Sequence, residues 1–149
     1  MEVIEVLDKK IIKTHLDAKS KDEVFKELAK VLKDEKYVNN TEDFVKDLYV
    51  REAEGKTGLG NYVAIPHSRS ASVDKIGVAI ATLDEPIEWE SLDNKGVKVV
   101  IMFAVNADTE GATAHLRLLS MFARKLAHVE VSEKLIKAQT AEDVVEAFR

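Results

Sequence analysis

Val97-Lys98-Val99-Val100-Ile101-Met102-Phe103-Ala104-Val105 is apolar at every position but one. A strand with water on one face alternates apolar and polar residues, whereas a strand covered on both faces has no such need. The run therefore predicts a central strand with material packed above and below it. Three shorter β-rich runs precede it: Tyr62 to Ile65, Ile76 to Leu83, and a short edge strand from Ile87 to Trp89. Ile11 to Leu16 reads as a first strand.

Helical spacing fills the remaining chain. Ser20 and Glu23 make a capping box ahead of Val24, Leu28, Val31 and Leu32. Thr41 reads as a second cap, followed by Phe44, Val45, Leu48 and Tyr49 on one face of a helix reaching about Glu54. After Gly111, His115, Leu116, Leu119, Phe122, Ala123 and Leu126 form an apolar stripe. Ser132 and Thr140 read as caps of short terminal helices, with Leu135, Ile136, Val144, Val145 and Phe148 facing inward. Helices before, between and after the strands predict an α/β fold, a mixed sheet flanked by helices on both faces.

A length of 149 residues suits one domain, residues 1–149, with only two prolines and six glycines and no linker or repeat. Twenty-two basic against 27 acidic residues give a net charge of −5, which argues against a nucleic-acid binder. No apolar run approaches the roughly 20 residues that span a bilayer, so no direct membrane insertion is expected. Glu2 and Glu5 stand where a signal peptide needs positive charge, so the expected location is cytoplasmic. The chain has no cysteine, which removes disulfides, thiolate zinc sites and a cysteine nucleophile.

One stretch concentrates reactive and anion-friendly groups: Thr57-Gly58-Leu59-Gly60-Asn61-Tyr62-Val63-Ala64-Ile65-Pro66-His67-Ser68-Arg69. Pro66 fixes its own φ and biases Ile65 to an extended backbone, so His67 is expected at a strand end. Gly58 and Gly60 allow a close loop whose amides can meet an anion, and Ser68, Arg69 and Ser70 add donors. In that setting His67 is a neutral imidazole able to attack phosphorus; its plain alternative is a half-buried histidine beside a turn. His115, early in a helix where the dipole disfavours its protonated form, either supports a phosphoryl group or is a core histidine. Arg51 either turns its planar fork to phosphate oxygens or stays a solvated helix charge. Thr57 either contributes a hydroxyl or closes a turn. His15 and His128 lack such surroundings. A metal site needs a third ligand such as Asp108 or Glu110, and no H-E-x-x-H spacing supports one. There is no G-x-S-x-G elbow and no dinucleotide fingerprint.

Arg51-Glu52, Thr57-Gly58-Leu59-Gly60-Asn61, Ala64-Ile65-Pro66-His67 and His115-Leu116 with Leu119 occur jointly, and essentially the whole chain follows the same pattern. It resembles the enzyme IIA domains of the mannitol/fructose type in the bacterial phosphoenolpyruvate-dependent sugar phosphotransferase system. The resemblance implies that His67 accepts a phosphoryl group from the phosphocarrier protein HPr and passes it to a cysteine on a sugar-specific IIB component. It implies that His115 helps hold the phosphoryl group, that Arg51 neutralises charge, and that no cofactor is stored. Many members carry glycine where this chain has Tyr62 and Ser68; the Ser68-Arg69-Ser70 flank is similar to fructose-type domains rather than the nitrogen-regulatory branch. A relay serving two partners predicts a shallow surface site with an apolar rim that includes Leu59 and Tyr62. The alternative is a regulatory domain of the same fold in which the phosphorylation state of His67 controls binding to a target protein.

Overall fold

A computed structural model describes residues 2–149. In chain order the elements are β1 (Ile12–Lys13), α1 (Lys21–Asp34), α2 (Thr41–Glu52), β2 (Gly58–Gly60), β3 (Val63–Ala64), β4 (His67–Arg69), β5 (Gly77–Ile87), β6 (Val97–Val105), α3 (Thr109–Leu126), α4 (Val129–Lys137) and α5 (Ala141–Ala147). The apolar run is β6, at the heart of one mixed sheet ordered β1-β5-β6-β3-β2, with β4 also paired to β6. β5 runs antiparallel to β6, while β3 and β4 run parallel to it.

The two faces of β6 explain its lack of polar residues. Val100, Met102 and Ala104 pack under α1 and α2 with Phe25, Leu28, Leu32, Phe44 and Leu48. Val99, Ile101, Phe103 and Val105 pack under the three C-terminal helices with Leu118, Phe122, Leu135, Val144 and Phe148. On that second side Phe103, Phe122 and Phe148 follow one another at centroid distances of 5.3 and 5.4 Å. Truncating Phe122 to alanine would cost about 3–5 kcal/mol by cavity formation. The mixed sheet with helices on both faces is therefore as the sequence predicts.

Local boundaries differ in instructive ways. The first strand shrinks to Ile12–Lys13, because His15 turns the chain with φ at 55°. Ser20 accepts from the Glu23 amide at 3.1 Å, but the Glu23 carboxylate meets the Ser20 hydroxyl, not its amide. Asn40 rather than Thr41 caps α2, its Oδ1 accepting from the Asp43 amide. Ile87 pairs with Val97 as the last residue of β5, and Trp89 lies outside any strand. α4 starts after His128 without a side-chain cap, which leaves Ser132 inside the helix, whereas Thr140 does cap α5. In α3 the buried stripe runs through Gly111, Leu118, Phe122 and Leu126; Leu116 and Ala123 lie one residue, about 100°, off that face and are exposed. Among the described residues no helix is long and apolar enough to cross a membrane.

Gly111 anchors α3. A Cβ at this position would lie 1.8 Å from the carbonyl oxygen of Asn106, so only glycine lets the first turn settle on the end of β6. Asp108 caps the same turn by accepting from the Gly111 amide at 2.9 Å. The side chain of His115 is thereby carried to the C-terminal end of the parallel strands.

Candidate active site

β3 and β4 are one strand with a break. Val63 and Ala64 pair with Val99 and Val100, and His67 pairs with Phe103, in an unchanged register. The interruption is Ile65-Pro66, where proline has no N–H for the ladder. The Phe103 amide still donates to the Pro66 carbonyl at 3.0 Å, which carries the register across. His67 is therefore not at a strand end but at the point where pairing resumes.

Register with Phe103 turns the His67 ring toward α3. There it meets His115, with ring centroids 4.4 Å apart. From the other side Arg51, in the last turn of α2, donates from Nε to His67 Nε2 at 3.0 Å, and its Nη1 holds the Gly55 carbonyl. His67 Nδ1 lies 3.0 Å from the Ile65 carbonyl. A carbonyl only accepts, so Nδ1 carries the ring proton; a guanidinium N–H only donates, so Nε2 carries the lone pair. The geometry thus assigns a single neutral tautomer.

Electrostatics agree. Burial pushes the His67 pKa below its ordinary value, against the Ile65 carbonyl, and the Arg51 charge adds to the depression; Glu52 and Glu54 oppose it. Burial also lowers His115, helped by His67, Arg69 and Arg51, to about 4. Near neutral pH both rings are uncharged. His115 Nε2 is buried with no hydrogen-bond partner among the described residues, an open polar atom on the ring that neighbours His67.

His67, Arg51 and His115 thus converge, and the other candidates do not join them. Ser68 pairs with Ala104, so its side chain is on the α1/α2 face, opposite to His67. The Thr57 hydroxyl is committed, donating to Glu52 Oε2 at 2.6 Å and accepting from Trp89 Nε1 at 2.9 Å. Gly58 and Gly60 form β2 instead of a free anion loop: the Gly58 amide donates to the Glu90 carbonyl, and the Asn61 amide is taken by Asp93. A Cβ on Gly58 would sit 2.4 Å from Ser91 Cβ, so this glycine serves close packing.

His67 is only 5% exposed, with Arg51 over its lone pair, and Leu59 and Tyr62 are half-buried. The exposed apolar residues next to the cluster in sequence are Val50, before Arg51, and Leu116, after His115. Two contributors escape the sequence reading, the Ile65 carbonyl and Glu52, while Arg69, expected as a donor after His67, holds the Ala107 and Asp108 carbonyls at the start of α3 with its Nη2. Glu52 was visible as half of the Arg51-Glu52 pair; the carbonyl has no side-chain signature.

Residues 5–149 match the family described as "Phosphoenolpyruvate-dependent sugar phosphotransferase system, EIIA 2". The chain belongs to this family. Its members are phosphotransferase components. Over 147 residues the chain is 31% identical to the fructose-specific EIIABC component of Bacillus subtilis, covering 98% of this chain and 23% of the relative. It spans less than a quarter of the length of the fused curated relatives it matches. The nitrogen regulatory protein IIA-Ntr of Neisseria meningitidis has a similar structure, with a TM-score of 0.86, 31% identity and 99% of each chain covered. The same fold occurs in the Escherichia coli mannitol enzyme IIA solved in complex with phosphorylated enzyme IIB, with a TM-score of 0.79, 22% identity, and 95% of this chain and 96% of that one covered.

Proposed function

We propose that residues 1–149 act as one cytoplasmic IIA domain in which His67 is the phosphorylated residue, with HPr as donor and a IIB component as acceptor. The observation that carries this reading is the His67 ring itself, with Nδ1–H held by the Ile65 carbonyl, the Nε2 lone pair facing Arg51, and the His115 ring next to it. Nε2 attacks the donor's phosphorus as the donor's N–P bond breaks, and the electron pair of that bond returns to the donor ring. The proton stays on Nδ1, hydrogen-bonded to the Ile65 carbonyl, so no proton has to leave His67. Arg51 releases Nε2 and moves its fork to the phosphoryl oxygens, and the unpartnered His115 Nε2 offers a second contact. Onward transfer repeats the displacement, with a thiolate of the IIB component as nucleophile. Val50 and Leu116 supply apolar contacts on either side for the two partners. A sugar of the fructose class, or a related sugar alcohol, is the supported cargo, from the Ser68-Arg69-Ser70 flank and the fructose-specific relative.

The likeness to a nitrogen regulatory protein favours a second reading, in which the same phosphorylation controls binding to a target protein. Incubation with phosphoenolpyruvate, enzyme I and HPr followed by mass analysis tests the shared step. An acid-labile phosphate is expected on the wild type and not on His67→Ala; equal labelling of the variant would overturn the site. Transfer onward to a supplied IIB component then favours the relay over the regulator.

A further inference from the structure

The contacts that define the His67 tautomer lead back to a buried carboxylate. Glu52 follows Arg51 in the last turn of α2, and its side chain is 8% exposed. One oxygen takes Lys21 Nζ at 2.8 Å, and the other takes the Thr57 hydroxyl at 2.6 Å. Thr57 in turn receives Trp89 Nε1, and Lys21 lies 4.9 Å over the Trp89 ring while also reaching Glu90. The Thr57 carbonyl accepts from the Ile65 amide at 2.9 Å, and the Ile65 carbonyl accepts from His67 Nδ1. A continuous bonded path therefore runs from Lys21 on α1 through Glu52, Thr57 and Ile65 to one nitrogen of His67. The other nitrogen is held by Arg51, the chain neighbour of Glu52.

From this we infer that Glu52, clasped to Thr57 and Lys21, is a positioning residue that sets which nitrogen of His67 is free to react. Glu52 does not touch the ring; it closes the 53–56 turn, so that the Arg51 guanidinium and the Ile65 carbonyl arrive on opposite nitrogens together. A carboxylate suits this place because it accepts at both oxygens, and a buried one is stable only with both satisfied. Burial alone would lower the Lys21 pKa, but Glu52 and Glu90 more than offset it, so the ammonium end of the path stays charged.

The inference rests on the reading of His67 as the reacting residue only for its kinetic part. Ring ¹⁵N shifts of the unphosphorylated protein measure the tautomer directly, and phosphorylated HPr serves as donor for the rate. Wild type should show a protonated Nδ1. Thr57→Val, which keeps shape but removes the hydroxyl, should gain the Nε2–H form and lose roughly ten- to a hundredfold in kcat, because a small displacement of a reacting group carries that cost. KM for HPr should stay within about twofold, because the clasp does not reach the rate through donor binding. Thr57→Ser should restore both values. Glu52→Gln, isosteric but with one acceptor oxygen in place of two, should shift the tautomer in the same direction by less, and it carries the test if Thr57→Val does not fold. Wild-type tautomer and kcat in the folded variants would overturn the inference. Should wild type take no phosphate on His67, the proposed function fails, while the tautomer measurement still decides this one.

Discussion

His67 and His15 each have a protein partner on both ring nitrogens, yet the two are opposites. His15 lies on the surface, with Nδ1 2.6 Å from an Asp84 carboxylate oxygen and Nε2 3.0 Å from Gln139 Oε1. Its pKa is raised, by the Asp84 hydrogen bond first, because two acceptors favour a ring with two protons. His67 is buried between one acceptor and one cationic donor, and its pKa is lowered. An acceptor facing an acceptor favours the cation; an acceptor facing a guanidinium favours the neutral ring with a lone pair. The difference lies in the chemical sign of the second partner and in access to water.

Replacing that second partner should break the contrast most. Arg51→Ala removes the donor on Nε2 and a charge available to the phosphoryl oxygens, so transfer from phosphorylated HPr should fall roughly a hundredfold, as for loss of one donor at a developing charge. The His67 titration, followed by NMR, should move upward, since the guanidinium helps hold it down. A rate near wild type would remove Arg51 from the reaction. His115→Asn should leave His67 able to accept phosphate, yet slow onward transfer about tenfold, the low end for loss of one hydrogen bond to a charged group.

The same substitution bears on stability. An unfolded histidine binds a proton near pH 6.5, while folded His115 resists until about 4, so folded wild type loses stability as pH falls from 6.5 toward 4. Melting curves of His115→Asn should decline less steeply across that window; identical slopes would place the acid sensitivity elsewhere. Asp84→Asn should have the smallest effect. A raised histidine pKa contributes stability below the unfolded value that disappears as pH rises through the folded one. The variant should melt slightly lower than wild type at pH 5 and equally at pH 8.5, with phosphoryl transfer unchanged. A transfer defect would tie the His15 surface to the active site.

The fold was largely legible because its evidence is local and repeated. Nine consecutive residues predict β6, and periodicity finds α1, α2 and α3 with boundary errors of a few residues. The cap of α2 was misplaced by one residue, from Asn40 to Thr41, because both residue types cap well and the turn geometry selects one. Three site residues, Arg51, His67 and His115, were visible as residue types whose chemistry suits phosphate. Ser68 looked equally suitable beside His67, but alternation along a strand turns neighbours to opposite faces. Thr57 and Gly58 belong to the same stretch, yet their polar groups are spent on Glu52, Trp89 and Glu90.

Composition and patterning were enough for the layered α/β fold and for the short list of groups able to handle a phosphoryl group. These follow from side-chain chemistry and from periods of two and 3.6 residues, which can be read along a chain. Which nitrogen of His67 is free, and which candidates stand beside it, was decided only when three distant segments packed together. A tautomer depends on what faces each ring nitrogen. Here the partners are a backbone carbonyl two residues earlier and a guanidinium sixteen residues earlier, placed by α2 and the interrupted strand.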